Sequence, residues 1–155
     1  MAIDIGISEK DRMAVAEGLS RALADNYTLY LKTHNYHWNV TGPNFPQLHV
    51  MFEEQYRELW AATDVIAERL RAIGAIAPGT YAQLSKLTSI QEDNDVPSAN
   101  QMVANLVKGN EQLTKVAREV FNIADKAGDE VTGDLMIERM TAAEKAAWML
   151  RSTLE

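Results

Sequence analysis

Residues 33–69 read THNYHWNVTGPNFPQLHVMFEEQYRELWAATDVIAER, and this stretch contains all three histidines of the chain. It also places histidine and carboxylate side chains at regular spacings, at His37, His49, Glu53, Asp64 and Glu68. The last four form two pairs whose members stand four residues apart, so each pair shares one face of a helix. Imidazole nitrogen combined with carboxylate oxygen suits iron, zinc and manganese, whereas calcium and magnesium favour oxygen ligands alone. The stretch therefore predicts a metal site whose ligands are held on helices.

The composition around this stretch is that of an ordinary globular protein. At 155 residues, with 46% hydrophobic and 24% charged residues, the chain is long enough to bury one core, and we expect a single domain over residues 1–155. The net charge of −7 argues against binding to nucleic-acid phosphates, which requires clustered lysine and arginine. The absence of cysteine excludes disulfides and thiolate metal sites. Without a signal sequence or a membrane-length apolar run, we expect a cytoplasmic protein with no membrane contact.

Apolar residues at helical spacing extend on both sides of the histidine-containing stretch. The first long helix is predicted to begin after Ser8, a favourable N-cap, and to end before Gly42-Pro43. The second is predicted to begin at Asn44 or Phe45 and to end at Gly74, a favourable C-terminal cap. The predicted metal ligands therefore lie near the end of one helix and along the next.

The second half of the chain continues the helical pattern after a long connection. Residues 75–97 are predicted to form a crossover that contains one short helix. A third long helix follows Ser98, and a fourth begins at Asp129 or Thr132 and continues to Leu154. No strand pattern occurs. The sequence thus predicts an all-α fold, a ferritin-like four-helix bundle with a short helix in the crossover between helices two and three.

Distance along the second helix decides which ligands can share an ion. At about 1.5 Å of rise per residue, Glu53 and Asp64 lie roughly 16 Å apart on a continuous helix. The two ligand pairs therefore cannot meet on one metal within a chain, but they could if two copies of this helix packed antiparallel about a two-fold axis. The Glu-x-x-His motif of conventional di-iron bundles is absent from the sequence. The spacing favours two identical sites at a dimer interface.

A larger set of residues in this stretch forms a specific motif: His37-Trp38-Asn39-Val40, Gly42-Pro43, Phe45, Leu48-His49, Phe52-Glu53, Asp64 and Ala67-Glu68-Arg69. This string closely resembles the signature of the Dps family, the miniferritins named as DNA-binding proteins from starved cells. The resemblance implies a hollow dodecameric shell with ferroxidase sites between two-fold-related subunits. His37, His49 and Glu53 would come from one chain, and Asp64 and Glu68 from its partner. Family members commonly have Asp where Glu53 stands, so this chain carries the carboxylate on a longer side chain.

The resemblance also implies a reaction. Family members oxidise Fe²⁺, usually with hydrogen peroxide in preference to dioxygen, and deposit ferric mineral inside the shell, which protects against oxidative damage. We therefore expect a bacterial ferroxidase, an oxidoreductase with iron as its cofactor and hydrogen peroxide as its other partner. Trp38, beside His37, is a candidate catalytic residue that intercepts a stray oxidising equivalent, and Trp60 is a second candidate. His34 is expected to make a hydrogen bond rather than to bind metal.

Four carboxylates cluster where the third and fourth helices meet: Asp125, Asp129, Glu130 and Asp134. By resemblance, this region lines pores at three-fold axes, where rings of carboxylates would draw cations inward. Glu130 and Asp134 are favoured because they stand four residues apart. The alternative is that these carboxylates cap the start of a helix.

Two other functions are open from the sequence. The first is a DNA-compacting shell associated with the nucleoid, but DNA binding is not expected, since no Lys or Arg precedes Ser8 and each chain carries −7. The second is a bundle that stores or carries another divalent metal without redox turnover. Ferric absorbance after addition of Fe²⁺ and peroxide distinguishes this last function from a ferroxidase.

Overall fold

A computed structural model describes residues 1–154 of the protein. These residues form five α-helices and no strand: α1 (Glu9–Asn39), α2 (Phe45–Ala72), α3 (Tyr81–Leu87), α4 (Ala99–Ala127) and α5 (Glu130–Arg151). The short α3 lies in the connection between α2 and α4, so the predicted all-α bundle of four long helices with a crossover helix is confirmed. None of these five helices is long and apolar enough to span a membrane.

Polar caps and a left-handed glycine set the helix boundaries. The hydroxyl of Ser8 accepts a hydrogen bond from the backbone N–H of Asp11 at 3.1 Å, and Ser98 accepts one from the N–H of Gln101 at 3.3 Å. Gly128 ends α4 with φ = 67°, a conformation that costs glycine little because it has no Cβ. The predicted starts of the first and third long helices are therefore confirmed.

The last helix is shorter than its prediction. α5 ends at Arg151, whereas the sequence pattern extended to Leu154. Beyond the helix, the N–H of Thr153 donates to the carbonyl of Leu150 and that of Leu154 to Arg151, both at 3.0 Å. These bonds join residues three positions apart rather than four, so the chain leaves the α-helical pattern although its apolar spacing continues.

Contacts between helices fix their relative directions. Arg12, in the first turn of α1, donates to the carbonyl of Ile73 just after α2 at 3.1 Å. Arg21, in the first half of α1, forms an ion pair with Glu119 in the second half of α4 at 3.1 Å. α1 is therefore antiparallel to both α2 and α4, and α2 and α4 run parallel to each other. The long crossover exists because a parallel pair cannot be joined by a short turn.

Buried hydrogen bonds hold the crossover against α1. The carboxylate of Asp25, only 1% exposed, accepts from the Thr88 hydroxyl at 2.8 Å and from the backbone N–H and hydroxyl of Ser89, both at 2.6 Å. Further along, the buried Tyr36 hydroxyl donates to Asp93. The three hydrogen bonds to Asp25 offset part of the cost of burying its carboxylate. The connection is thus anchored at two points on α1.

Apolar side chains fill the bundle in two clusters, one at each end. The cluster next to the histidines contains the fully buried Tyr36 and Phe52, whose ring centroids are 6.4 Å apart. α1 and α4 approach closely in this half: a Cβ added at Gly109 would lie 2.6 Å from the Cδ1 of Leu29. This close packing supports the C-terminal end of α1, which carries His37, and the N-terminal end of α2, which carries His49.

Candidate metal centre

The turn between α1 and α2 brings two histidines from different helices face to face. His37 lies in the last turn of α1 and His49 in the second turn of α2. Their rings stack with centroids 3.8 Å apart and an angle of 15° between the ring planes. The structure therefore brings together the two nitrogen ligands that the sequence predicted.

Each of these two rings is fixed by the backbone of the other residue. Nδ1 of His37 lies 2.7 Å from the carbonyl oxygen of His49, and Nδ1 of His49 lies 2.8 Å from the carbonyl oxygen of His37. A carbonyl oxygen can only accept, so each Nδ1 carries the proton and donates it. In the neutral ring the lone pair then resides on Nε2, which is the form that binds a metal ion. This reciprocal pair presets both rings as ligands.

Glu53 lies one turn after His49, and its carboxylate is held by Arg57. Oε1 of Glu53 accepts from Nε of Arg57 at 3.0 Å and from Nη2 at 2.7 Å. The hydrogen bond to Arg57, aided by the nearby His37 and His49, keeps the pKa of Glu53 below its ordinary value. The third predicted ligand is therefore ionised, but a metal ion would have to draw it away from Arg57. Arg57 was not predicted from the sequence as a partner of Glu53, although two residues four positions apart share a helix face and can form an ion pair.

Asp64 and Glu68 lie on the exposed face of α2, away from the histidines. α2 is continuous from Phe45 to Ala72, so the separation of roughly 16 Å between Glu53 and Asp64 holds. Within residues 1–154, no group of three or more His, Asp or Glu side chains is placed to hold a metal ion. The predicted ligands of one chain therefore lie in two separate sets.

Exposed apolar side chains lie on the same two helices as the predicted ligands. Trp38 is 58% exposed and Trp60 60%, and Val50 and Val65 on α2 are also about half exposed. Exposed large apolar side chains beside charged side chains are typical of a surface that binds another protein. The exposed face and the separated ligand sets both fit a site completed by a second copy of the chain.

Aromatic side chains of α1 and α2 pack beside His37. The His34 ring stacks on Tyr56 with centroids 3.8 Å apart, and its Nδ1 is 3.0 Å from the hydroxyl of Tyr30. Burial lowers the pKa of His34, and the nearby His37 and Arg57 lower it further. His34 is hydrogen-bonded, as expected from the sequence. Tyr30 and Tyr56 were missed as members of the centre, although Tyr30 stands four residues before His34 and shares its helix face.

The carboxylates at the junction of α4 and α5 divide into two groups. Asp129 is 2% exposed, accepts from the N–H of Thr132 at 2.9 Å, and pairs with Arg69 at 2.6 Å. The burial of Asp129 and its bond to the start of α5 favour the capping alternative for this residue, and its pore role stays a prediction. The other three candidates are exposed and border one surface depression, so their pore role stays a prediction: Asp125, Glu130 and Asp134.

Comparisons with known proteins agree with this geometry. A family model described as a ferritin-like domain matches residues 16–155. The chain is 42% identical to a DNA protection during starvation protein from Brevibacillus brevis, over 91% of this chain and 95% of the relative. It is also 42% identical to an uncharacterised low temperature-induced protein from Nostoc sp., over 99% of this chain and 87% of the relative.

Solved structures extend the similarity to three dimensions. The crystal structure of a Dps protein from Bacillus brevis superposes with a TM-score of 0.91 at 38% identity, covering 94% of this chain and 98% of that one. The Dps protein from Vibrio cholerae O1, described as a member of a broad superfamily of ferritin-like diiron-carboxylate proteins, superposes with a TM-score of 0.94 at 31% identity, covering 100% and 98%. The chain belongs to the Dps family of ferritin-like miniferritins.

Proposed function

We propose that this protein is a ferroxidase and iron-storage miniferritin. It oxidises Fe²⁺ with hydrogen peroxide, or with dioxygen, at sites shared between two subunits, and stores ferric mineral inside a hollow dodecameric shell. The observation that carries the proposal is the reciprocal hydrogen bonding of His37 and His49, which frees both Nε2 atoms for metal beside an exposed face. The carboxylates that would complete the site, Asp64 and Glu68, are out of reach in the same chain and available from a partner.

The donor set fits iron as the substrate. Two imidazole nitrogens and three carboxylates suit Fe²⁺, and the carboxylates favour the ferric ion as product because they place negative charge against its higher charge. Glu53 supplies one of these carboxylates from the histidine side, once it is released from Arg57. Each dimer would then contain two identical sites, related by its two-fold axis.

The proposed reaction balances with two ferrous ions for each peroxide. Each Fe²⁺ gives up one electron, and hydrogen peroxide takes both electrons with two protons to form two water molecules. Transfer of both electrons leaves no hydroxyl radical to attack the protein. The chain would hold the two ions close to each other through His37, His49, Glu53, Asp64 and Glu68. Its backbone would keep the imidazoles in the metal-binding tautomer.

DNA compaction is a second candidate, considered because the Brevibacillus relative is named a DNA protection during starvation protein. The charge of −7 per chain opposes it, since assembly multiplies this charge and repels the phosphate backbone. Protection of DNA would then be chemical, through removal of Fe²⁺ and peroxide. A cytoplasmic location is part of this proposal, because both substrates and the DNA to be protected are found there.

Ferric absorbance after addition of Fe²⁺ and peroxide tests the ferroxidase proposal. We expect rapid ferric formation in the wild-type protein and its loss in His37→Ala and Asp64→Ala variants. Glu54→Gln is a matched control, because Glu54 is an exposed carboxylate of α2 that borders a different surface depression with Met51 and Glu58. Equal loss of activity in this control, or full activity in His37→Ala, would contradict the assignment.

Mixed variants test whether the site is shared. When His37→Ala and Asp64→Ala subunits are dissociated and reassembled together, a mixed dimer has one doubly defective site and one intact site. Random pairing makes half of the dimers mixed, so about a quarter of the wild-type activity should return. Recovery in the mixture, with none in either variant alone, supports the shared site. No recovery would indicate that the ligands act within one chain.

A further inference from the structure

Four of the five tyrosines of the chain form a continuous row that begins at the metal centre. Starting from His37, successive ring centroids are separated by 5.2 Å to Tyr56, 6.2 Å to Tyr30, 5.7 Å to Tyr27 and 6.3 Å to Tyr81. All of these separations are within the range of aromatic contact. We call the four side chains Tyr56, Tyr30, Tyr27 and Tyr81 the tyrosine row.

The row leads from the centre to the surface at α3. Tyr27 lies ten residues before His37 on α1, roughly 15 Å back along the helix axis. Tyr81, the first residue of α3, ends the row and is 73% exposed. Electron transfer slows steeply with distance, so several short steps between touching rings are faster than one long step. The row therefore gives an oxidising equivalent a path out of the metal centre.

The chemistry at Tyr30 suits such a path. A phenol that loses an electron becomes strongly acidic and must release its proton, so it needs a base within hydrogen-bond distance. The Tyr30 hydroxyl lies 3.0 Å from Nδ1 of His34, which accepts the proton when the imidazole proton resides on Nε2. Tyr30 also contacts the ring of Trp60, with centroids 5.3 Å apart, so it is the junction of the aromatic groups around the centre.

We propose that the tyrosine row is a redox relay that carries an oxidising equivalent from the metal centre to Tyr81 at the surface, an inference that rests on the proposed function. The relay acts when peroxide meets a centre that contains a single ferrous ion. Fe²⁺ gives one electron and a tyrosine gives the second. Peroxide takes both electrons, the tyrosine's proton and one proton from solvent, which yields Fe³⁺, two water molecules and a neutral tyrosyl radical.

The radical then moves outward as each tyrosine takes an electron and a proton from the next in the row. At Tyr81, a soluble hydrogen-atom donor such as a thiol restores the phenol by giving one electron and one proton. Half-loaded centres would therefore consume peroxide without releasing hydroxyl radical and without damaging their own ligands. Trp38 and Trp60 lie on the face proposed to bind the partner, whereas the row ends at Tyr81, the first residue of α3.

Spin trapping on the assembled protein tests the relay. The shell is loaded anaerobically with one Fe²⁺ per subunit and mixed with excess hydrogen peroxide and a nitroso spin trap. Ferric absorbance is recorded in the same samples, and adducts are mapped by mass spectrometry. We expect an adduct on Tyr81 in the wild-type protein, and its loss in Tyr30→Phe and Tyr27→Phe. Ferric formation should continue in Tyr27→Phe, because Tyr27 lies outside the metal centre. Phenylalanine keeps the ring packing, and thermal melting curves verify that both variants are folded.

Tyr36→Phe is the matched control, because Tyr36 is the one tyrosine outside the row and its hydroxyl donates to Asp93. This variant should keep the Tyr81 adduct. Wild-type levels of adduct in Tyr30→Phe and Tyr27→Phe would overturn the relay, as would ferric formation in the wild-type protein with no Tyr81 adduct. Absence of ferric absorbance in the wild-type protein would instead overturn the proposed function, and the relay with it.

Discussion

Replacement of Asp129 distinguishes a structural role from the pore role predicted from the sequence. Its carboxylate caps α5 through the N–H of Thr132 and pairs with Arg69, and the two charged side chains are 1% and 14% exposed. Asp129→Asn keeps an oxygen that can cap the helix but removes the charge. Asp129→Ala removes both. Comparing the two variants therefore separates the ion pair from the cap.

The expected loss of stability follows from the burial of this pair. Breaking a buried ion pair from one side costs about 3–5 kcal/mol, because the remaining charge stays buried. Arg69 keeps partial contact with water, so we take the lower end, about 3 kcal/mol, for Asp129→Asn. Loss of the cap adds about 1 kcal/mol in Asp129→Ala. At about 2–4 °C for each kcal/mol, the Tm should fall by about 6–12 °C for Asn and about 8–16 °C for Ala.

Thermal unfolding followed by circular dichroism measures this effect, with size-exclusion chromatography to confirm that each variant assembles like the wild-type protein. Glu130→Gln is the control, because Glu130 is the exposed neighbour, and its stability should stay within about 0.5 kcal/mol of wild type. Iron uptake is recorded in parallel. An unchanged Tm for Asp129→Asn, combined with slower iron uptake, would refute the structural role and support the pore role.

Three further outcomes follow from the structure. Arg57→Gln should tighten binding of divalent metal, measured by calorimetry, because Glu53 no longer has to leave a guanidinium; weaker binding would show that Arg57 helps to hold the site. Burial lowers the pKa of His34 in the folded protein below its ordinary value of 6.5. As the pH falls, His34 of the unfolded chain is therefore protonated before His34 of the folded protein, so folding stability should decline below about pH 6.5. His34→Phe should lose this part of the pH dependence, and an unchanged profile would argue against it. Plasmid DNA should not be retarded on a gel at neutral pH and moderate salt, and clear retardation would support the DNA-compacting alternative.

Helix boundaries were predictable because their signals are local. The side chain of Ser98 caps the helix that follows it, and Gly128 supplies the left-handed conformation that ends the same helix. Neither signal depends on distant parts of the chain. The end of α5 was predicted three residues too late because apolar spacing continues to Leu154 although the backbone turns after Arg151.

Tertiary partners were the part that the sequence could not reveal. From the sequence, Asp129 was assigned to the pore with a helix cap as the alternative, because no local signal places Arg69, sixty residues earlier, beside it. The two histidines were predicted as ligands from their concentration in one stretch and from the resemblance to the Dps signature. Their reciprocal bonds to each other's backbone were not, because those bonds depend on how the turn between α1 and α2 folds.

The tyrosine row shows the same limit. Tyr27 and Tyr30 share a face of α1 with His34 and His37, so helical periodicity could have predicted their positions near the centre. Tyr81 stands on the crossover, and no spacing rule connects it to α1. Its contact with Tyr27 is visible only when α3 is packed against the bundle.

The central claim is that each iron site takes His37, His49 and Glu53 from one subunit and Asp64 and Glu68 from another. Anomalous X-ray diffraction at the iron absorption edge, from crystals soaked anaerobically in Fe²⁺, tests it most directly. We expect anomalous peaks between Nε2 of the histidines of one subunit and the carboxylates of Asp64 and Glu68 of a two-fold-related subunit. Iron bound by Glu53 and Asp64 of the same chain, or peaks only at other positions, would contradict the account.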